Sequence, residues 1–135
     1  MKIEVKINAK VEVSRDVIDE IFTTALEGGS NYWYDISSKA TKLIRDAVPR
    51  EEDQYLSSAI VKAILDHGVE VPINDIEDED EVLGIISKDN IEERLQKLVD
   101  NGGFNLLQQH IDGNGDADSA DTIFQYLTMG EVVFA

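Results

Sequence analysis

Cysteine is absent from the sequence, and basic residues are scarce. Without cysteine there is no disulfide framework, no thiolate nucleophile and no zinc or iron–sulfur site that depends on cysteine ligands. Only 12 lysines and arginines stand against 28 acidic residues, which gives a formal net charge of −16. Because binding to a nucleic-acid backbone requires cations that neutralise phosphates, this composition argues against a direct nucleic-acid partner.

Long apolar runs are also missing. No run approaches the ~20 residues that a membrane-spanning helix requires, which argues against a membrane partner. The first stretch, MKIEVKINAKVEV, alternates charged and apolar side chains and contains no unbroken apolar run of signal-peptide length. We therefore expect a cytoplasmic protein.

The hydrophobic periodicity predicts a single α+β domain spanning residues 1–135. Apolar residues at every second position predict a strand over residues 3–13. A change to helical spacing after Ser14, the expected N-cap, predicts a helix that ends at Gly28 and Gly29. Strands few in number and dispersed among helices indicate the α+β class, with a small sheet and helices packed mainly on one face.

Further elements follow from the same patterns. Strands are predicted over residues 69–73 and 82–86. Helices are predicted over residues 37–47, from Arg50 to the Asp66-His67-Gly68 stop, from a cap at Asp89 or Asn90 to Asp100, over residues 104–111, and from a cap at Asp118 to Gly130.

Acidic residues are concentrated in the second half of the chain. Residues 1–67 hold 9 basic and 12 acidic side chains, whereas residues 68–135 hold 3 basic and 16 acidic ones. The densest run, DIEDEDE at residues 75–81, repels itself and predicts a solvated loop over about residues 74–81. That loop either keeps the protein soluble or forms a docking surface, whose candidate partner-binding residues are Glu77, Asp78, Glu79, Asp80 and Glu81.

The segment EGGSNYWY at residues 27–34 is the most distinctive local feature. In one interpretation, which we favour, two glycines end a helix and the three aromatic residues then pack onto the sheet. In the other, adjacent side chains on an extended segment face opposite sides, so that Trp33, or Tyr32 with Tyr34, stays partly exposed. Exposed Trp and Tyr side chains are typical anchors for a protein partner, so all three are candidate partner-binding residues.

A weak calcium candidate lies at Asp112, Asn114 and Asp116 in the run DGNGDAD. The run imitates the first five positions of an EF-hand loop. An EF-hand also requires glycine at position 6 and a bidentate glutamate at position 12, where this chain has Ala117 and Ile123. A turn between two helices with an aspartate N-cap explains these residues more simply, and no metal site is predicted.

No catalytic motif is present. The two histidines, His67 and His110, lie near predicted helix ends, where the helix dipole favours a cation. HExxH, GxSxG and the phosphate-binding glycine motifs do not occur. We therefore expect a protein that is not an enzyme and that carries no cofactor.

Two patches resemble a known group of proteins. The first is the EGGxxYW pattern of residues 27–33, and the second comprises Asp118, Ala120, Asp121, Gln125, Gly130, Glu131, Val132 and Phe134. Both are similar to patches in small, acidic, uncharacterised proteins of phages, prophages and bacterial mobile elements. Met129 and Ala135 depart from the aromatic residue and the glycine common there. The group has no assigned activity, so the resemblance implies a genetic context and no mechanism.

These observations predict a non-enzymatic accessory protein that binds a basic protein partner through its acidic face. In the most specific form of this hypothesis, the carboxylates mimic nucleic-acid phosphates and occupy the phosphate sites of a host DNA- or RNA-binding protein. The alternative is a small structural protein that self-associates, as a homo-oligomer, through the aromatic patch and the apolar C-terminus. A terminus as apolar as residues 132–135 is expected to dock in the core or at a subunit interface.

Overall fold

The computed structural model describes residues 11–135, which form a set of helices and a small sheet. The strand predicted over residues 3–13 falls mostly on residues 1–10, outside the described part, and residues 11–14 carry no regular secondary structure. The elements are α1 (Arg15–Thr24), a π-helical segment (Ala25–Gly29), β1 (Tyr34–Asp35), α2 (Ser38–Ala47), α3 (Leu56–His67), β2 (Val71–Asp75), β3 (Asp78–Ile86), α4 (Lys88–Asp100), α5 (Phe104–Ile111) and α6 (Ala117–Met129).

The three strands form an antiparallel sheet in the order β1-β2-β3. Val71 pairs with Ile86 across β2 and β3, and both are fully buried, as is Ile73. Ile85, one position away on β3, is 46% exposed. Because side chains alternate between the faces of a sheet, one face lies against the helical core and the other faces solvent. The predicted α+β class is confirmed.

Two helices begin at caps other than those predicted. α4 is capped by Ser87 rather than by Asp89 or Asn90, and α6 is capped by Asp116 rather than by Asp118. At each start the cap side chain accepts a hydrogen bond from the backbone N–H three residues later. The side chain of that later residue accepts one in return from the cap N–H. Two hydrogen bonds satisfy two otherwise unpaired donors, so each helix begins where the reciprocal pair forms.

The helix expected from Arg50 begins only at Leu56. The guanidinium of Arg45 donates hydrogen bonds to the backbone carbonyls of Asp53 and Gln54. The carboxylate of Asp53 in turn accepts from the N–H of Tyr55 at 3.1 Å. These hydrogen bonds engage the backbone of residues 53–55 in a conformation that is not helical. A helix that began at Arg50 would break them.

β3 and α6 approach each other backbone to backbone at Gly84. A Cβ atom on Gly84 would lie 1.9 Å from the carbonyl oxygen of Thr128 in α6. Because no side chain fits at this position, glycine allows α6 to pack directly on the sheet. This contact fixes the helix that carries most of the candidate site described below.

We expect Gly84→Ala to lower the free energy of unfolding by ~1–3 kcal/mol or more, because the added methyl group forces β3 and α6 apart. Gly28→Ala is the matched control, since a Cβ there meets no atom within 4 Å. Urea unfolding followed by circular dichroism measures both variants. Equal stability of Gly84→Ala and the unsubstituted protein would contradict the close approach.

Candidate functional site

The acidic run forms a β-hairpin, which corrects the predicted loop at residues 74–81. β2 ends at Asp75, Ile76 and Glu77 form the turn, and β3 begins at Asp78. The strand predicted over residues 82–86 is therefore confirmed and extends four residues further towards the N-terminus. A strand is compatible with the mutual repulsion of the carboxylates because residues 76–82 are all exposed to solvent.

Local hydrogen bonds order this acidic hairpin, which we define as residues 75–81. The carboxylate of Asp75 accepts from the N–H of Glu77 at 2.8 Å, and that of Asp78 accepts from the N–H of Asp80 at 3.0 Å. The buried amide of Asn74 donates to the carbonyl oxygen of Glu79 at 2.7 Å. The pairing of β2 with β3 is irregular on both sides of Asn74, so this side chain holds the bulged part of β3 in place.

The carboxylates of the acidic hairpin have no basic partner within residues 11–135. The ion pairs there involve Asp46, Asp53, Asp66 and Glu20, all outside the hairpin. Six acidic side chains thus stand close together on one ordered element with their charge uncompensated by described residues. Such a field attracts a basic surface and repels an acidic one.

The aromatic segment splits between core and surface. Trp33 is 1% exposed, whereas Tyr32 is 48% exposed and Tyr34 is partly buried. The Trp33 ring packs against Phe124, with centroids 5.5 Å apart, and stacks on Phe134 at 5.4 Å. Trp33 is therefore buried, as the packing interpretation expects, although Phe124 and Phe134 lie in α6 and at the C-terminus rather than in the sheet. The hypothesis that Trp33 stays partly exposed as an anchor for a partner is wrong. Among the three aromatics, Tyr32 presents the largest exposed surface.

The carboxylate of Asp121 in α6 is the centre of a polar network that no single sequence motif revealed. One oxygen accepts hydrogen bonds from the Ser30 hydroxyl at 2.8 Å and from Trp33 Nε1 at 2.7 Å. The other accepts from the Tyr32 hydroxyl at 2.5 Å and from Gln125 Nε2 at 3.3 Å. Hydrogen bonds to an ionised acceptor are the strong ones, so this group ties the aromatic segment to α6.

Gln125 extends the network to the C-terminus. Its side-chain oxygen accepts from the backbone N–H groups of Val133 and Phe134, both at 2.9 Å. Its amide nitrogen donates to the carbonyl oxygen of Phe134 at 3.1 Å. The expected docking of the apolar terminus therefore holds for Phe134, which covers Trp33, while Val132 and Val133 are each 52% exposed.

The two patches that carry the resemblance therefore meet in space. Ser30, Tyr32 and Trp33 come from the first patch, and Asp121 and Gln125 come from the second. Asp121 and Gln125 lie four residues apart, so they share one face of α6. The four-residue spacing of Asp121 and Gln125 is visible in the sequence and indicates a shared helix face. It does not indicate contact with a segment some 90 residues earlier.

The carboxylates in the weak calcium candidate have local roles in helix ends. Asp116 caps α6, and the hydrogen bond from the backbone N–H of Ser119 lowers the pKa of Asp116. The carboxylate of Asp112 accepts from Gln108 Nε2 at 2.8 Å. Within residues 11–135, no group of three or more His, Asp or Glu side chains has a metal-binding arrangement.

His110 lies between a glutamate and a serine, as the histidine of a catalytic triad does. Its Nδ1 is 2.5 Å from the Glu20 carboxylate, and its Nε2 is 2.8 Å from the Ser119 hydroxyl. Ser119, however, is buried and donates its hydroxyl to the backbone carbonyl of Asp116 at 3.1 Å. Gly115 covers the imidazole so closely that a Cβ there would lie 2.0 Å from Nδ1. A substrate has no route to the hydroxyl, so the arrangement links α1, α5 and α6 structurally.

We expect Asp121→Asn to lower the free energy of unfolding by ~1–3 kcal/mol, because an amide at this partly buried position cannot replace all four acceptor positions of the carboxylate. The control is Glu131→Gln, which neutralises an exposed carboxylate outside the helices and should change stability by less than ~0.5 kcal/mol. Chemical denaturation measures both.

The pKa of Tyr32 provides a second test of the hydrogen bonds to Asp121. Partial burial, the hydrogen bond to Asp121 and that carboxylate's charge raise the pKa of Tyr32 to about 12. Since the unfolded value is about 10, folding holds this proton more tightly, and the associated stability is lost as the pH rises from 10 to 12. In Asp121→Asn the Tyr32 pKa should fall, as measured by NMR of ¹³C-labelled tyrosine. An unchanged Tyr32 pKa would contradict the network.

The buried triad-like arrangement generates its own test. We expect a fluorophosphonate probe to leave Ser119 unlabelled in the folded protein, because the hydroxyl is buried and already hydrogen-bonded. A serine hydrolase added to the same mixture provides the positive control. Mass spectrometry that found the adduct on Ser119 would show that the site opens.

Comparison of the chain with protein families, curated proteins and solved structures finds no match. The resemblance of the two patches to phage and mobile-element proteins therefore stays a prediction. Within residues 11–135, no helix is both long enough and apolar enough to cross a membrane.

Proposed function

We propose that this chain is a non-enzymatic accessory protein that binds a basic protein surface through the acidic hairpin. The observation that carries the proposal is an ordered, exposed element with six carboxylates that have no basic partner among the described residues. A disordered acidic tail would also confer solubility, but it would not hold its charges in one arrangement. Fixed charges allow orientation-specific recognition as well as fast association.

In its most specific form, the hairpin mimics nucleic acid for a host nucleic-acid-binding protein. Carboxylates at fixed positions would then occupy sites that normally hold phosphates, and the net charge of −16 would add long-range attraction. The resemblance to phage and mobile-element proteins supplies a context in which blocking such a host protein is useful. The cytoplasm, the location expected from the sequence, is where the two proteins would meet.

Self-association is the second candidate. It is favoured by Val132, which is exposed in the same groove as the half-exposed Tyr32, and by the exposed Val133 that follows it. Weighing against it, Trp33 and Phe134, the largest apolar side chains of the two predicted contact regions, are stacked on each other. The surface left for a second copy is therefore small, and stable interfaces usually bury ~800 Å² per partner.

We expect neutralisation of the acidic hairpin to weaken partner binding at least tenfold and to reduce its salt sensitivity. The variant changes each acid to its amide at positions Glu77, Asp78, Glu79, Asp80 and Glu81. Amides retain an oxygen acceptor, so the bond from Asp80 N–H to position 78 can persist. The loss of five exposed ion pairs with the partner, each worth ~0.2–1 kcal/mol, accounts for a decrease in affinity of this size.

The experiment is affinity capture from a nuclease-treated bacterial lysate, a stepped salt wash and mass spectrometry, followed by titration of the recovered partner. The matched control neutralises five exposed acids elsewhere, at Glu51, Glu52, Glu70, Glu92 and Glu93. If both variants bind alike, the hairpin is not the contact surface. Recovery of only the protein itself, resistant to high salt, would favour self-association.

A further inference from the structure

A groove lies beside Tyr32, between the aromatic segment, the first turns of α6 and the C-terminal residues. Its volume is about 330 Å³, at the lower end of the range of ~300–1,000 Å³ for small-molecule sites. The walls that matter for recognition are Tyr32, Asp118, Asp121, Gln125, Val132 and Phe134. We call this feature the Tyr32 groove.

The charged side chains that line the Tyr32 groove within residues 11–135 are both acidic. They are Asp118 and Asp121, and no lysine or arginine of the described residues lines the groove. Asp121 is occupied by its four donors and contributes its field rather than a free lone pair. The carboxylate of Asp118 is exposed and accepts no hydrogen bond from a described side chain, so it is available to a ligand.

The aromatic and apolar walls narrow the class of ligand. Tyr32 is 48% exposed, and its hydroxyl donates to Asp121 at 2.5 Å, which restrains the orientation of the ring. A planar cation gains from stacking on such a ring and from pairing with a carboxylate beside it. Val132 adds an exposed apolar wall that suits the methylene stem of a long basic side chain.

The acidic hairpin adjoins the same segment. The N–H of Ile76, in the hairpin turn, donates to the carbonyl oxygen of Trp33 at 3.0 Å. Tyr34 pairs with Asp75 at the end of β2. A partner seated on the hairpin therefore lies within reach of the residue next to Trp33, which is Tyr32.

We propose that the Tyr32 groove receives the guanidinium of one arginine side chain from the basic protein partner, with Asp118 as the ion-pair partner and the Tyr32 ring as the stacking surface. This assignment rests on the proposed function and adds a specific anchor to it. The hairpin supplies long-range attraction and orientation, whereas the groove selects a side chain by shape. A lysine ammonium is not planar and does not form bidentate hydrogen bonds, so it fits the Tyr32 ring and the Asp118 carboxylate less well.

The test uses the whole protein and a probe that does not depend on knowing the partner. N-acetyl-arginine amide is titrated at low salt and followed by backbone amide chemical shifts in NMR. We expect saturable shifts at Tyr32, Asp118 and Thr122. N-acetyl-citrulline amide, which has the same shape without the charge, should cause much smaller shifts, and N-acetyl-lysine amide should bind more weakly than the arginine probe.

Three variants separate the contribution of the Asp118 carboxylate from that of the Tyr32 ring. Asp118→Asn should weaken the arginine probe about two- to fivefold, the size expected for one exposed ion pair. Tyr32→Leu should weaken it by a similar factor because the ring is lost. Glu131→Gln is the control, because it neutralises an exposed carboxylate that does not line the groove, and it should retain binding. Amide spectra of each variant verify that it is folded.

The outcomes distinguish the groove from the hairpin. The hairpin variant should still bind the arginine probe at the groove, with at most a general electrostatic loss. Absent or non-saturable shifts at the groove, equal shifts with the citrulline probe, or unchanged binding in both Asp118→Asn and Tyr32→Leu would overturn the groove assignment. Those results would leave the hairpin proposal intact. Loss of probe binding in these two variants, with partner binding unaffected by hairpin neutralisation, would instead support the groove and reject the hairpin.

Discussion

The partly buried carboxylate of Asp121 holds together the parts of the molecule on which the candidate surface depends. Its hydrogen bonds from Ser30, Tyr32 and Trp33 bind the segment after the π-helical turn to α6. Gln125, one turn later, joins the C-terminal residues to the same point. A carboxylate has about four lone-pair sites on its two oxygens, so one side chain can accept from all of these donors at once.

Acidic residues serve two different purposes here. Inside, Asp121 is fully satisfied and gives rigidity. Outside, the acidic hairpin keeps its charges in solvent, where repulsion between them is weakened by water and salt. The pairing of β2 with β3 and the buried side chain of Asn74 hold that repulsive run in a defined shape. The rigid interior therefore positions a charged exterior, which is the property required of a docking surface.

The contact between His110, Glu20 and Ser119 illustrates why geometry of side chains alone does not define a catalytic site. The distances match a general base between an acid and a nucleophile. Catalysis further requires access to the nucleophile and donors for a developing oxyanion. Here the serine is the third residue of α6, and its hydroxyl accepts from the N–H of the cap residue Asp116 and donates to the Asp116 carbonyl oxygen, so it is engaged in structure.

The sequence alone determined the α+β class, the helices over residues 38–47, 88–100 and 104–111 to within three residues, and the stops at Gly68 and Gly130. Periodicity and capping act over a few residues, so these features can be read locally. Only the tertiary structure decided that the acidic run forms a hairpin, that Trp33 is buried and that Asp121 gathers both patches. The hairpin pairs residues at most 15 apart, but the mutual repulsion of its carboxylates concealed that pairing. Trp33 stacks on Phe134, 101 residues later, and Asp121 accepts from Ser30, 91 residues earlier. Burial and side-chain contacts at such separations are set by how whole elements pack, which no local pattern encodes.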